Sequence, residues 1–440
     1  MNNDSYDAVV VGGGFKGMMT AYGLRQQGMS VCIIEKGHQL GGFMSPMSWN
    51  GTDIDKGPQY LDGIAEPHKR ILDDIMEDHE PLASLDFSYA SYWNSTWTDG
   101  FALPDYRSLP MEQRANVLYE TLNQPQTPAA GDCIADLYDD SQGNSFGYIN
   151  DWCHKFLRKD ASELSPLNRG IVTFFGRKLL LDNDLSLQLK QHPLLDNLLA
   201  ADKKSISHGT YNLYPLGRNL GYFRSAFERK LHNMGVAVMT DRSIDEITTE
   251  DDSLRIRVDA KTIDTDKLYC TATVEVSERM LLGSSSMADY IAPVAQLFYL
   301  IETDAPPALP FYVMNYSDSP VSRITNFTAY ANRSEEDRSI LCIEVPTDTD
   351  SEMWADPEKH YPEIIQTAAD MGIDADSITS HQAFKVPGTY RATLRGYEDA
   401  MRSVEDQLAS QYGELVVLPT PHLLTRASIM HDLTEIGVLS

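Results

Sequence analysis

The segment YDAVVVGGGFKGMMTAYGLRQQGMSVCIIE, residues 6–35, decides the fold. The valine-rich run of residues 6–11 is typical of a buried parallel strand. A glycine cluster at residues 12–17 and a helical stretch follow it, and residues 30–35 predict a second buried strand. A strand, a turn, a helix and a second strand are thus completed within about 30 residues, the size of one βαβ unit. This order predicts a Rossmann-like α/β fold.

The glycine cluster fits the pattern GxGxxG through Gly12, Gly14 and Gly17. The first glycine permits a tight turn, the second lets the backbone approach a pyrophosphate, and the third lets the helix pack closely on the strand. The helix N-terminus offers N–H groups and the positive end of its dipole to the phosphates. Phe15 and Lys16, inside the pattern, belong to the same predicted cofactor site.

Glu35 ends the second predicted strand, 18 residues after Gly17. A carboxylate there accepts hydrogen bonds from both hydroxyls of an adenosine ribose and would repel a 2′-phosphate, which disfavours NADP. The next residue, Lys36, is included in the predicted site.

A second glycine pair, Gly41 and Gly42, follows in EKGHQLGG, and DIDKGPQY occupies residues 53–60. Together with the first motif, these segments resemble the flavoprotein superfamily of amine oxidases, protoporphyrinogen oxidase, phytoene desaturases and UDP-galactopyranose mutase. The resemblance implies that FAD is the cofactor and that the second glycine pair contacts its diphosphate. It also implies three neighbours of the isoalloxazine ring, namely Gly57, Pro58 and Gln59.

Two later segments extend the resemblance. Residues 214–247 resemble the turn, helix and strands that flank adenine in the family, which places Ile244 at the adenine. Residues 422–437 resemble a C-terminal segment in which an arginine neutralises pyrophosphate and a helix points at the flavin pyrimidine; the matching residues are Arg426 and Met430. The chain departs from the family at Thr425, where the family has glycine.

The predicted active site lies where four groups converge on the flavin: Gln59 with Tyr60, Arg323, Tyr390, and Met430 with His431. Arg323 begins an Arg-Ile pair that resembles a flavin-facing strand in the mutase-like branch of the family. An arginine there could pair with a substrate anion or stabilise reduced flavin, because a guanidinium keeps its charge when buried. The alternative is a salt bridge between Arg323 and Asp318 or another local acid on the surface.

Cofactor-like segments recur at both ends and in the middle of the chain. We therefore expect a discontinuous FAD-binding domain of residues 1–80, 205–285 and 410–440, with an inserted α+β substrate domain of residues 81–204 and 286–409. Residues 81–165 lack a clean period and predict irregular structure with short strands, whereas residues 268–276 predict a strand.

The resemblance leads to an FAD-dependent oxidoreductase of the amine oxidase or protoporphyrinogen oxidase type, with a small-molecule substrate over the flavin ring. The alternative is a UDP-galactopyranose mutase-like enzyme that acts on a nucleotide sugar in surface polysaccharide biosynthesis without net redox. The chain shows no clear cluster of arginines for a nucleotide diphosphate beyond Arg158, Arg169, Arg177 and Lys178. A flavin-binding protein without catalysis is the third possibility.

The formal net charge of −28 disfavours nucleic acid and anionic membrane surfaces as partners.

Five scattered cysteines show no CxxC spacing, which predicts no metal site and fits a reducing cytoplasm. Family members that tether FAD use a cysteine near the C-terminus, and since none follows Cys342, the resemblance implies non-covalent FAD. The longest nearly apolar run, residues 290–301, is too short to span a bilayer. The oligomeric state is left open.

Overall fold

The structure, a computed structural model, describes residues 3–86, 88–123, 131–138, 144–170, 172–202, 209–250, 252–304, 308–331, 339–420 and 425–439. The chain forms two compact units, both of them discontinuous in sequence. The first unit comprises Met1–Asp86, Gly209–Asp289 and Glu398–Ser440. The second comprises Phe87–His208 and Tyr290–Tyr397.

Strands occur in both units. They are β1 (Asn3–Val11), β2 (Val31–Ile34), β3 (Met47–Trp49), β4 (Thr52–Ile54), β5 (Leu61–Ala65), β6 (Ala83–Ser84), β7 (Tyr89–Trp93), β8 (Thr96–Asp99), β9 (Thr210–Tyr214), β10 (Ala237–Met239), β11 (Glu246–Glu250), β12 (Ser253–Val258), β13 (Lys261–Cys270), β14 (Ile291–Thr303), β15 (Tyr312–Asn315), β16 (Arg323–Asn326), β17 (Ser339–Thr347), β18 (Ile378–Thr393) and β19 (Val416–Val417).

The α-helices alternate with these strands in the first unit and cover parts of the sheet in the second. They are α1 (Phe15–Gln26), α2 (Glu66–Ile75), α3 (Met111–Asn123), α4 (Asn144–Leu157), α5 (Asn183–Leu189), α6 (Pro193–Asp196), α7 (Leu220–Asn233), α8 (Val274–Leu282), α9 (Phe327–Tyr330), α10 (Glu352–Ala355), α11 (Pro357–Asp370), α12 (Tyr397–Tyr412) and α13 (Arg426–Glu435).

The first unit is built on a sheet of strand order β10-β2-β1-β13-β12-β11, with β19 paired to β13. Strands β10, β2, β1, β13 and β19 pair in parallel, whereas β12 and β11 add an antiparallel edge. The side chains of Ala8, Val9 and Val10 in β1 are fully buried, because a parallel strand is covered on both faces. This arrangement confirms the predicted Rossmann-like α/β fold.

The second unit contains a sheet of strand order β18-β14-β17-β16-β15-β7-β8. Its pairs are antiparallel apart from β15 with β7. One face packs on α11 through Ile364 and Ala368, while the other packs on α4 through Trp152 and Phe156. Because the strands alternate their side chains between the faces, neighbouring residues of one strand enter different cores.

Two sequence predictions of secondary structure are wrong in part. The short strands expected within residues 81–165 are present as β6, β7 and β8, but the same stretch also contains the helices α3 and α4, which were not expected. The buried residues of α4 follow a helical period of three and four, but their aromatic composition masked that period; they are Ile149, Trp152, Cys153, Phe156 and Leu157. The strand expected at residues 268–276 ends at Cys270, and α8 begins at Val274.

None of the helices in the described part of the chain has both the length and the apolar character needed to cross a membrane.

Candidate functional site

The two glycine motifs of the first unit lie side by side. Gly14 and Gly41 form an isolated parallel bridge, and the Gly41 N–H donates to the Gly13 carbonyl at 2.7 Å. A Cβ at Gly42 would lie 3.4 Å from the Gly14 Cα. Gly12 and Gly41 have φ of +98° and +113°, a region that side chains disfavour. We call residues 12–14, 41 and 42 the glycine cradle.

The cradle opens onto the N-terminus of α1. The N-cap residue Gly14 provides no side-chain cap, and the first turn of α1 contains no acidic residue. A Cβ at Gly14 would meet nothing within 4 Å. Because the first N–H groups of a helix lack intrahelical acceptors and carry the positive end of the dipole, this geometry fits a diphosphate held by backbone N–H groups.

Two further glycine-dependent contacts hold the cradle in place. A Cβ at Gly17 would lie only 1.9 Å from the Gly12 carbonyl oxygen, so α1 approaches β1 as closely as only glycine allows. Thr271, just after β13, bonds through its hydroxyl to the carbonyls of Val11 and Gly12, at 2.9 and 3.1 Å. No sequence pattern marks Thr271, because nothing in the residues around it shows that β13 lies beside β1.

Glu35 follows β2 at its carboxyl end and is oriented by two backbone groups. Its Oε2 accepts from the Gly13 N–H at 2.5 Å, and its Oε1 accepts from the Gly37 N–H at 2.6 Å. A carboxylate offers about four acceptor positions, so two backbone bonds leave capacity for ribose hydroxyls. Lys36, the next residue, is exposed.

The chain after β10 runs beside Glu35. The N–H groups of Asp241 and Arg242 donate to the carbonyls of Gly37 and Glu35, at 2.9 and 3.0 Å. Ile244 lies two residues beyond Arg242 and is partly exposed. The structure therefore brings the predicted adenine-flanking segment to the same end of the sheet as Glu35, and an adenine contact of Ile244 stays a prediction.

Lys16 connects the first turn of α1 to the C-terminal segment. Its Nζ donates to the Thr420 carbonyl at 2.6 Å, and Thr420 in turn donates from its N–H to Asp432 at 3.1 Å. Burial lowers the pKa of Lys16 to about 8, although the nearby Asp432 carboxylate acts in the opposite direction. Phe15, at the start of the same helix, is buried.

The turn of residues 53–60 is tied to α7 by Asp55, which the sequence analysis did not single out. Asp55 is 2% exposed. Its Oδ2 accepts from the Tyr214 hydroxyl at 2.6 Å, and its Oδ1 accepts from the Leu220 N–H at 3.0 Å. Gly57 has a φ of +72°, which suits the tight turn. Pro58 and Tyr60 are partly exposed in the same turn.

The C-terminal helix α13 begins at Arg426. The Thr425 hydroxyl caps it by accepting from the Ser428 N–H at 3.1 Å. Arg426 Nη2 donates to Gln59 Oε1, so the structure brings these two predicted cofactor residues together. Met430 is fully buried. The His431 side chain is 69% exposed and lies 3.3 Å from Glu435.

In the second unit, Arg323 makes a bidentate ion pair with Glu344 on the neighbouring strand. The Arg323 Nε donates to Glu344 Oε1 and the Nη2 to Oε2, both at 2.7 Å. Thr325 and Gln296 also donate to the Glu344 carboxylate, at 3.2 and 2.9 Å. Arg323 therefore makes a salt bridge, as the alternative expected, but its partner is the buried Glu344 and not Asp318 or another surface acid. Glu344 escaped the sequence analysis because its strand reads as a uniformly buried run.

Arg323 also contacts two tyrosines. Its Nη2 lies 3.4 Å from the Tyr390 hydroxyl, and its guanidinium lies 5.9 Å from the centre of the Tyr312 ring. Burial alone would lower the pKa of Arg323, but the charge and hydrogen bonds of Glu344, together with Tyr390 and Tyr312, raise that pKa well above its usual value. The structure thus joins the predicted residues Arg323 and Tyr390. Their convergence with Gln59, Tyr60 and His431 on one flavin stays a prediction.

A cavity of about 1070 Å³ lies within the second unit. It is lined in part by Trp152, Asp151, Lys155 and Arg158. Burial lowers the pKa of Lys155 to about 7. Arg158 pairs with Asp348 at 2.9 Å and Arg177 with Asp196 at 3.5 Å, so two of the arginines considered for a nucleotide diphosphate serve local ion pairs.

Part of the first unit matches a known domain family. Residues 10–75 match the model of the NAD(P)-binding Rossmann-like domain. A carotenoid 3,4-desaturase of Haloarcula japonica is 25% identical over 335 residues, which cover 68% of this chain and 64% of the desaturase. A 4,4′-diaponeurosporene oxygenase of Staphylococcus haemolyticus is 28% identical over 110 residues, 24% of this chain. The chain thus spans 64% and 21% of the lengths of these curated relatives.

Solved structures resemble the whole chain. A reduced UDP-galactopyranose mutase has a TM-score of 0.72 at 14% identity, over 100% of this chain and 94% of its own. A protoporphyrinogen oxidase-like protein of Exiguobacterium has a TM-score of 0.64 at 14% identity, over 99% and 98%. A putrescine oxidase bound to putrescine has a TM-score of 0.61 at 13% identity, over 99% and 100%. These likenesses confirm the predicted resemblance at the level of the fold, which is all that identities of 13–14% establish.

Proposed function

We propose that this chain, which shares the fold of the amine oxidase, protoporphyrinogen oxidase and UDP-galactopyranose mutase flavoproteins, is an FAD-dependent oxidoreductase with a small-molecule substrate. The observation that carries the proposal is the glycine cradle at the uncapped N-terminus of α1, with Glu35 at the end of the adjacent strand. These two features suit a diphosphate and a ribose. FAD is bound without a covalent link in this proposal.

Bound FAD would supply the redox chemistry by accepting two electrons from the substrate. The chain's own residues would bind and orient. Glu35 would accept the ribose hydroxyls, and the cradle N–H groups would hold the diphosphate. Because Glu344 neutralises the charge of Arg323, we do not assign Arg323 to binding a substrate anion. In this proposal Arg323 orients the Tyr390 hydroxyl, which would donate a hydrogen bond to the substrate. The carotenoid desaturase relative supports oxidation of a C–C bond, and the putrescine oxidase supports oxidation of a C–N bond.

The domain roles are part of the proposal. The first unit, with both glycine motifs, would bind the cofactor, and the second, with Arg323 and Tyr390, would bind the substrate. The acidic chain disfavours nucleic acid as a partner. All five cysteines are free and buried, which supports a reducing cytoplasm as the location.

A mutase-like enzyme acting on a nucleotide sugar is the second candidate. The full-length likeness to UDP-galactopyranose mutase, with a TM-score of 0.72, favours it. Against it, the Nε and Nη2 groups of Arg158 both donate to Asp348, and those of Arg177 both donate to Asp196. Neither arginine therefore has its Nε free for a nucleotide diphosphate.

Anaerobic spectroscopy separates these candidates. The purified protein is mixed without oxygen with polyamines, porphyrinogens and carotenoids, and the flavin absorbance is followed. Bleaching on mixing supports net oxidation of the substrate. Conversion of UDP-galactopyranose only after dithionite reduction would replace the oxidoreductase with the mutase, and a colourless protein that takes up NAD alone would exclude both.

A further inference from the structure

Arg224 on α7 lies directly against the second glycine pair. A Cβ built on Gly41 would lie 2.3 Å from the Arg224 Cδ and 2.5 Å from its Cγ. Gly41 therefore lacks a side chain for two reasons, its φ of +113° and the arginine stem that crosses it. We propose that Arg224 is the cationic side chain of the cradle and pairs with the diphosphate of the dinucleotide. This inference rests on the proposed dinucleotide site.

The hydrogen bonds of Arg224 leave one of its three guanidinium nitrogens without an acceptor. Its Nη1 donates to Glu228 Oε2 and its Nη2 to Ser225 Oγ, each at 2.9 Å. Its Nε is buried and has no hydrogen-bond partner within the described ranges of the chain. The Nε is bonded to the Cδ that touches Gly41, so the unpaired N–H lies at the cradle. A buried donor is normally satisfied, and a phosphate oxygen at the cradle would satisfy this one.

The charge of the chain favours a cation at this position. A diphosphate is anionic, and the protein has a formal net charge of −28. Lys16, the cation inside the first glycine motif, directs its ammonium to the Thr420 carbonyl. Arg224 is only 15% exposed in its side chain, and a guanidinium remains charged when buried. Because hydrogen bonds to Glu228 and Ser225 already hold the Arg224 side chain in place, that side chain would lose little conformational entropy when an anion binds.

The test uses the full-length protein freed of bound nucleotide, with adenosine, ADP and FAD as probes in calorimetric titrations. Arg224→Met keeps the stem over Gly41 and removes the guanidinium. We expect its affinity for ADP and FAD to fall at least about tenfold, the effect of one lost charge-assisted hydrogen bond. Its affinity for adenosine, which has no phosphate, should be unchanged. Higher salt should weaken ADP binding less in this variant than in the wild type.

Arg229→Met is the matched control, because Arg229 lies on the same helix and is exposed. It removes the same charge and should bind ADP like the wild type. Arg224→Lys keeps a cation at this position, and it provides a second test in case Arg224→Met does not fold. It should bind ADP with intermediate affinity.

Three outcomes would overturn the inference: unchanged ADP binding by Arg224→Met, an equal loss of adenosine binding, or an equal loss in Arg229→Met. Wild-type protein that binds ADP but not FAD would refute the proposed FAD enzyme and leave this inference standing. Wild-type protein that binds neither would refute both.

Discussion

Arg323 and Glu344 stand directly opposite each other on β16 and β17, and two 2.7 Å hydrogen bonds join their side chains. Glu344 is 1% exposed, and Arg323 is mostly buried. Removal of one partner from a buried ion pair leaves an uncompensated charge, which typically costs about 3–5 kcal/mol. The pair is therefore a structural element of the sheet as well as a neighbour of Tyr390.

The first prediction concerns this pair. Glu344→Met should lower the free energy of unfolding by about 3–5 kcal/mol, because it strands the Arg323 guanidinium. The double variant Arg323→Met with Glu344→Met should recover most of that loss. Urea unfolding followed by circular dichroism measures both. A double variant no more stable than Glu344→Met alone would show that the stranded charge is not the cause.

The second prediction separates Tyr390 from the ion pair. Tyr390→Phe removes only the hydroxyl that lies 3.4 Å from Arg323. We expect bound FAD and thermal stability to be retained and turnover to fall about tenfold or more, since each lost 1.4 kcal/mol of transition-state stabilisation is tenfold in rate. Steady-state kinetics on the substrate found by anaerobic screening measures the change.

Tyr299→Phe is the control for Tyr390. Its hydroxyl donates to the Pro357 carbonyl at 2.8 Å, in the core that contains α11. Its loss should affect stability and leave turnover unchanged. Equal turnover of the wild type and Tyr390→Phe would remove Tyr390 from the active site.

The third prediction concerns Glu35→Ala. The ribose should lose two charge-assisted hydrogen bonds, each worth about 1.5–3 kcal/mol, with part of that energy returned by water. FAD affinity should fall about tenfold to a thousandfold. Fluorescence titration with FAD measures it. Asp78→Ala, which removes an exposed carboxylate of the same unit, should bind FAD normally, and an unchanged dissociation constant for Glu35→Ala would place the ribose elsewhere.

The fourth prediction is a pH dependence. Burial lowers the pKa of Lys155 from its ordinary value of 10.5 to about 7. Between these values the unfolded chain binds a proton that the folded chain does not, so the contribution of Lys155 to stability rises with pH from about 7 to about 10.5. Below pH 7 both states are protonated and the burial penalty is fully present.

Lys155→Met should therefore be more stable relative to the wild type at pH 6 than at pH 9. The variant also loses the 2.7 Å hydrogen bond from Lys155 to the Ser317 carbonyl, and this loss changes the stability by the same amount at both pH values. Urea unfolding of both proteins at each pH measures the difference. A stability difference that is the same at both pH values would mean that Lys155 titrates normally.

Local patterns were sufficient where the chain encodes a whole element in one stretch. The βαβ unit of residues 6–35 is contiguous, and its glycines, apolar runs and terminal acid can be read without knowing any neighbour. The helix α12 at Tyr397–Tyr412 is another case, since its apolar period is complete. The helix α4 was missed because its buried face is made of aromatic and cysteine residues, which do not by themselves indicate a helix.

The amino-acid sequence by itself determined the Rossmann-like unit, its two glycine motifs and the position of Glu35. Only the tertiary structure decided what surrounds them: Asp55 under Tyr214, Thr271 on the Gly12 turn, Arg224 over Gly41, and Glu344 opposite Arg323. The physical reason is distance along the chain. Each of these contacts joins residues more than 20 positions apart, and one-stretch patterns of hydrophobicity and turn chemistry contain no information on which strands become neighbours.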